Sequence, residues 1–259
     1  MRTVAKHPQT AWQRLDDTWS DDRVWSAKLA ADRLRAAQNQ TLTQREITSE
    51  IVRRAGESEA HAVALTGSTA RNCRTDISDL DYHVVGPRFK TSDLAGDVDV
   101  HFVDATGFWV RLHAGDDFVQ WTLRFGCILV DDGIFRAGLR AVGTELIWPD
   151  AGAKFRRLTE MQRLAEQLVK MADRDAAQDQ LRATLTSLAR ALLLDNGIFP
   201  LAREELPGQL RSIGHGLVAG ALTVAIHGQP SLSDIRAGLC LLDDADQVQV
   251  GKRRASTPT

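Results

Sequence analysis

The chain has 259 residues, 43% of them hydrophobic and 25% charged, with a formal charge of −2. That length holds one large domain or two modest ones around a real core, and the near-neutral balance argues against intrinsic disorder and against a protein that coats nucleic acid. Cys73, Cys127 and Cys240 have neither zinc-site nor disulfide spacing, and no stretch nears the ~20 apolar residues of a membrane span or the apolar core of a signal peptide, so a soluble cytoplasmic protein with no membrane partner is expected.

Residues 1–44 read as a helical arm packed on the next domain, with Trp12, Leu15 and Trp19 at helical spacing and Val24, Leu29 and Leu34 following less strictly. TQREITSEIVRRAG then reads as a capped helix with Thr43 as N-cap, Glu46 three residues on and Gly56 as its stop. Three short strands are expected next, in HAVALTG, SDLDYHVVG and GDVDVHFVD, the last two alternating polar and apolar residues. FVQWTLRFGCILVDD gives a helix, a glycine break and a buried strand, and Trp148-Pro149 marks the end of this unit. Leu158, Met161, Leu164, Leu168 and Met171 then keep one helical face, and Leu181, Leu185, Leu188 and Leu192 another. Further helices are expected over 201–210, 216–227 and 231–246. The expected organisation is therefore an arm over 1–44, an α/β domain over 45–150, a helical domain over 151–250 and a flexible tail over 251–259, whose Lys252, Arg253 and Arg254 read as solvated rather than as a nucleic-acid contact.

The segment LTGSTARNCRTDISDLDYHVVG, residues 65–86, carries the chemistry. A strand that runs into Gly67-Ser68 and then a helix points backbone N–H groups outward, and glycine lets an anion approach the chain closely. Taken alone, such a turn is usually just a turn. On the next strand Asp79 and Asp81 share a face, and two adjacent carboxylates repel unless a cation lies between them; magnesium, which favours hard oxygen ligands, suits them. A lone D-x-D is more often a solvated strand face. A third strand repeats the order as Asp97, Asp99 and His101, matching Asp79, Asp81 and His83, so pairing of these two strands would bring their acidic faces together. Asp99 lies deeper in its strand than Asp97, which follows Gly96, and is therefore chosen as the third carboxylate. His83 and His101 read mainly as hydrogen-bonding members of the site wall, and Asp116, Asp117, Asp131 and Asp132 mainly as solvated element ends.

These residues resemble the polymerase-beta-like nucleotidyltransferase superfamily, and most closely its small bacterial members, including antibiotic nucleotidyltransferases. The likeness rests on Gly67-Ser68-x-Ala70, on Ser78-Asp79-x-Asp81, with a ten-residue gap from Ser68 to Asp79, and on the later strand aspartate, so it covers about residues 63–103. Asn72 departs from the glycine frequent there, but asparagine tolerates left-handed backbone geometry. The resemblance implies an α/β (α+β) nucleotidyltransferase fold with a small mixed sheet, followed by an all-α domain. It also implies two Mg²⁺ ions on Asp79, Asp81 and Asp99, with Gly67, Ser68 and Arg71 binding the triphosphate. The implied reaction transfers an NMP, AMP from ATP first among them, to a hydroxyl of a small molecule, antibiotics included, with release of pyrophosphate. Transfer to an RNA end or a protein side chain, as in toxin–antitoxin relatives, and a nucleotide-binding module without catalysis are the competing readings. The intact carboxylate set argues against the last.

Overall fold

A computed structural model of the chain describes residues 21–75, 78–141 and 147–242. Expectations that fall on residues 1–20 and 243–259, including Trp12, Leu15, Trp19 and the basic tail, lie outside the described residues. The chain divides into two compact units, Met1–Pro149 and Asp150–Thr259.

The first unit opens with α1 (Asp22–Gln38) and α2 (Leu42–Glu57). The N-cap of α2 is Thr41, two residues before the expected Thr43. Thr41 accepts from the Gln44 backbone N–H at 3.4 Å, while the Gln44 side chain accepts from the Thr41 N–H at 3.0 Å. The sequence T-L-T-Q-R-E contains two overlapping capping boxes, Thr41–Gln44 and Thr43–Glu46, and the earlier one forms. Gly56 does not stop the helix, which runs on to Glu57 with Ser58 as C-cap. In α1 the residues turned inward are Trp25, Asp32 and Ala36, whereas Val24 and Leu34 are exposed. The aliphatic spacing missed this because a carboxylate is part of the buried face.

Four strands, β1 (Ala62–Leu65), β2 (Leu80–Val85), β3 (Val98–Val103) and β4 (Cys127–Asp131), make one mixed sheet in the order β3-β2-β1-β4. β1 pairs antiparallel with β2 and β4, and β2 pairs parallel with β3. One face carries Leu80, Tyr82 and Val84; the Tyr82 hydroxyl lies 2.6 Å from Thr48 Oγ1 of α2. The opposite face is covered by α4 (Ala105–His113), α5 (Asp117–Phe125) and α6 (Ile134–Ala141), whose Phe108, Leu112, Val119, Leu123, Phe135 and Leu139 form a core with Ala62, Ala64, Val85 and Ile128. α5 and β4 match the expected helix and strand, with Gly126 between them. α4 and α6 were not anticipated.

α1 lies along β4, an edge of the sheet, and supplies partners to its backbone. Asp32 accepts from the Ile128 N–H at 3.1 Å, Arg33 donates to Leu129 O at 2.7 Å and Arg35 to Gly126 O at 3.0 Å. Edge strands left bare invite intermolecular pairing, and a helix across them removes that hazard. The buried Asp32 carboxylate is balanced by Lys28 at 2.6 Å and Arg35 at 3.1 Å, which makes the burial of a charge tolerable.

The second unit is entirely helical among its described residues: α7 (Ala151–Lys170), α8 (Arg174–Asp195), a 3₁₀ turn (Arg203–Glu205), α9 (Leu206–Ser212), α10 (Gly216–His227) and helix over 232–242. Leu181, Leu185, Leu188 and Leu192 of α8 are buried as expected. On α7 the buried stripe is Phe155, Leu158, Ala165 and Val169; Leu158 is buried as expected, while Leu164 and Met171 are exposed. The helix expected over 201–210 is instead the 3₁₀ turn followed by α9. Among the described residues no helix is long and apolar enough to cross a membrane. A small mixed sheet with flanking helices followed by an all-helical unit is the architecture expected.

Candidate active site

One end of the sheet gathers the sequence-predicted residues of the first unit. Because β1 runs antiparallel to β2, its C-terminal end lies beside the start of β2: Leu65 pairs with Tyr82, and the Thr66 N–H donates to Asp81 O at 2.8 Å. The chain then turns through Gly67 at φ +63° into α3 (Gly67–Ala70). A Cβ at Gly67 would fall inside the Asp81 carboxylate, 2.9 Å from its Cγ. Glycine is required twice over at this position, by the left-handed backbone and by the contact.

Asp81 and Asp99 are register partners across the parallel β2–β3 pair, and His83 and His101 are partners two residues on. Register partners on adjacent strands project from the same face, with the strands about 4.8 Å apart, so the two carboxylates stand side by side. Asp97 precedes the paired stretch, where its carbonyl accepts from the Leu80 N–H at 2.9 Å; Asp99, not Asp97, is opposite Asp81. Asp79 lies one residue before β2 and is exposed, Asp81 is half-buried, and Asp99 is exposed on the edge strand.

Around the turn, the Ser68 carbonyl accepts from the N–H groups of Arg71 and Cys73 at 3.2 and 3.0 Å, and Asn72 takes φ +55°. Asparagine here adopts the left-handed geometry that glycine would supply. Asn39, in the α1–α2 turn, donates to Thr69 O at 3.1 Å and holds α3 from behind. The hydroxyls of Thr66 and Thr69 are buried with no hydrogen-bond partner among the described residues, an unusual pair of orphaned polar atoms in one turn. Arg71 lies over the Phe125 ring, 5.4 Å from its centroid, and Arg74 donates to the Gln44 side chain.

Behind the carboxylates the same sheet face is closed by rings. His83 is fully buried, with Phe118 at 5.1 Å, His101 at 5.7 Å and Phe135 at 5.9 Å between centroids. Its Nδ1 lies 3.0 Å from Thr122 Oγ1, which itself donates to Phe118 O; the His83 Nδ1–H is therefore the donor, and Nε2 is left without a partner among the described residues. Burial, followed by the charges of His101 and Arg111, holds the His83 imidazole neutral with its pKa pushed down to about 3. His101 packs on Phe118 and bonds Arg111 at 2.6 Å, and burial followed by Arg111 lowers its pKa. Both histidines are hydrogen-bonded on this face, His83 to Thr122 and His101 to Arg111. Asp116 caps α5 and pairs with Arg111, Asp131 caps α6, and Asp132 bonds His61, which assigns these acidic residues structural roles. Arg111 and Thr122 carry no local motif that marks them in the sequence: each reads as an ordinary polar position of a short helix.

Among the described residues no three His, Cys, Asp or Glu side chains form a ready-made metal cage. Magnesium sites that act on phosphates ordinarily use one or two protein carboxylates and complete the shell with water and substrate oxygens. The side-by-side Asp81 and Asp99, with the Gly67 turn lying against Asp81, fit that donor set.

No protein-family model matches this sequence, and no curated protein matches it. Among solved structures, the chain is similar to a nucleotidyltransferase-like protein from Exiguobacterium sibiricum, at 19% identity over 81% of this chain and 76% of that one, with a TM-score of 0.40.

Proposed function

We propose that the protein is a magnesium-dependent nucleotidyltransferase that moves the NMP unit of a nucleoside triphosphate, ATP first among them, onto a hydroxyl of a small-molecule acceptor. The observation that carries this reading is the contact of the glycine turn with Asp81, whose register partner is Asp99. A glycine turn and two carboxylates thus meet at one end of the sheet.

In this reading the Gly67 backbone and the Ser68 side chain hold the β and γ phosphates, and the Arg71 guanidinium neutralises charge beside them. Asp79, Asp81 and Asp99 hold the metal ions, which when bound offset charge on the phosphates and on the departing pyrophosphate. Asp99, the most exposed of the paired carboxylates, takes the proton of the acceptor hydroxyl. The acceptor oxygen bonds to the α-phosphorus, the bond from that phosphorus to the bridging oxygen breaks, and pyrophosphate carries away the electron pair. Chemistry of this kind needs positioning and charge neutralisation rather than a covalent nucleophile.

The test is calorimetric titration of ATP, GTP, CTP and UTP with Mg²⁺ into the wild-type chain and into the double variant Asp79→Ala, Asp81→Ala. Magnesium-dependent binding of one triphosphate that disappears in the double variant is the expected result. Equal binding by both proteins, or binding by neither, overturns the reading.

A further inference from the structure

On the sheet face opposite Asp81, α1 and α2 diverge and leave a cavity of about 590 Å³. Its walls are two helical stripes at i, i+3, i+4 and i+7 spacing, residues 33, 36, 37 and 40 of the α1 side and residues 45, 48, 49 and 52 of α2. Small residues, Ala36 and Ala37 against Thr48 and Ser49, keep the helices from filling the space between them. The floor is Leu129 of β4, at an irregularity in the β1–β4 register, where an extra residue re-aims its side chain.

The polar groups of this cavity divide into spent and unspent. Thr48 Oγ1 donates to Gln44 O at 2.9 Å and has Gln40 Nε2 and the Tyr82 hydroxyl at 2.6 Å each, so its capacity is used. Arg33 uses only its Nε, on Leu129 O, and the Arg45 guanidinium bonds no described residue. Neither arginine has a carboxylate partner among the described residues, and no carboxylate lines the cavity. Their neighbours behave differently: Arg35 of α1 pairs with Asp32, and Arg53 and Arg54 of α2 pair with Glu50. Two guanidinium groups with no carboxylate partner among the described residues therefore bound one cavity, whose other walls are the apolar Ala36, Ala37, Val52 and Leu129 and the polar Gln40, Thr48 and Ser49. The volume lies within the ~300–1,000 Å³ of small-molecule sites.

We propose that this cavity is a second ligand site, separate from the nucleotide end of the sheet, which takes a small organic anion: a carboxylate or phosphate group on Arg33 and Arg45, with an apolar body against Ala36, Ala37, Val52 and Leu129. Guanidinium groups suit planar or tetrahedral oxyanions through paired hydrogen bonds, and the apolar walls select an anion with a hydrophobic body over a bare ion.

Phenyl phosphate is the probe, titrated by calorimetry into the full chain without nucleotide. Saturable binding with a dissociation constant below about 1 mM is expected, with inorganic phosphate about ten-fold weaker or worse. Arg45→Gln weakens phenyl phosphate about ten-fold, the loss of one charge-assisted hydrogen bond, and Ala37→Phe, which fills the cavity, abolishes binding; circular dichroism checks that both variants are folded. Should Ala37→Phe fail to fold, Ser49→Phe on the exposed rim serves the same purpose. Asp79→Ala with Asp81→Ala leaves this binding unchanged. Absence of saturation, equal affinity for inorganic phosphate, or affinity indifferent to both Arg45→Gln and cavity filling overturns the proposal. Binding lost in the aspartate double variant instead assigns the probe to the nucleotide end and overturns it equally.

Discussion

Gly67 and Asp81 occupy each other's space: the missing side chain of the one is where the carboxylate of the other lies. Gly67→Ala therefore adds a left-handed penalty of ~1 kcal/mol and forces Asp81 to move. Gly96→Ala is the control, since Gly96 has φ +82° but open space around its Cα. Both substitutions lower the free energy of unfolding by about 1 kcal/mol or more in denaturant titrations. Only Gly67→Ala also abolishes magnesium-dependent triphosphate binding, and equal binding by the two variants would show that the contact has no part in the site.

Asp99 and Asp97 are separated by the register. Both are exposed, so neither Asp→Asn substitution changes stability by more than about 0.5 kcal/mol. Pyrophosphate release coupled to nucleotidyl transfer should fall by about 10²–10⁴-fold for Asp99→Asn, the usual contribution of a positioned base. It should stay near wild type for Asp97→Asn. The reverse ranking would move the third carboxylate to Asp97.

Much of this end of the sheet was legible because its signals are local. Glycine before a short helix, aspartates two apart on a strand and a repeated D-x-D-x-H are patterns within a few residues. Their meeting is a matter of register, which the repeat itself hinted at through Asp81–Asp99 and His83–His101. Less was legible where burial reverses the usual meaning of a residue. Asp32 reads as a solvated position of a helix but serves the β4 backbone, and Ala165 and Val169, not Leu164, face the core of the second unit. The α2 cap failed for another reason, two overlapping boxes with nothing in the local sequence to rank them.

That ambiguity is measurable. Thr41 makes the capping interactions, so Thr41→Ala should cost about 1 kcal/mol in urea unfolding, within the ~0.5–2 kcal/mol range of N-cap losses. Thr43, inside the first turn and exposed, should cost only a few tenths on substitution by alanine. If Thr43→Ala were the more damaging, the helix would begin where the second box starts.

His83 gives the unit a pH dependence whose sign follows from burial. Its imidazole titrates near 3 when folded and near 6.5 in the unfolded chain. Between these values the unfolded state binds the extra proton, so stability rises with pH and the contribution is complete above about pH 6.5. As pH falls from 6.5 towards 3, His83 should remove up to ~1.4 kcal/mol per pH unit. The lowered carboxylates Glu50, Asp93, Glu160 and Asp234, each held down first by a side-chain hydrogen bond, also lose stabilisation in acid and would obscure a single profile. The difference between wild type and His83→Gln isolates the histidine, because those carboxylates are common to both proteins. Glutamine keeps an amide donor for Thr122 but has no proton to gain in this range. Urea unfolding at intervals from pH 7.5 to about 4 should show the wild type losing stability faster than the variant below about pH 6.5, with parallel profiles above it. Parallel profiles throughout would mean that His83 accepts its proton in the folded state, and that the ring cluster behind Asp81 is open to water.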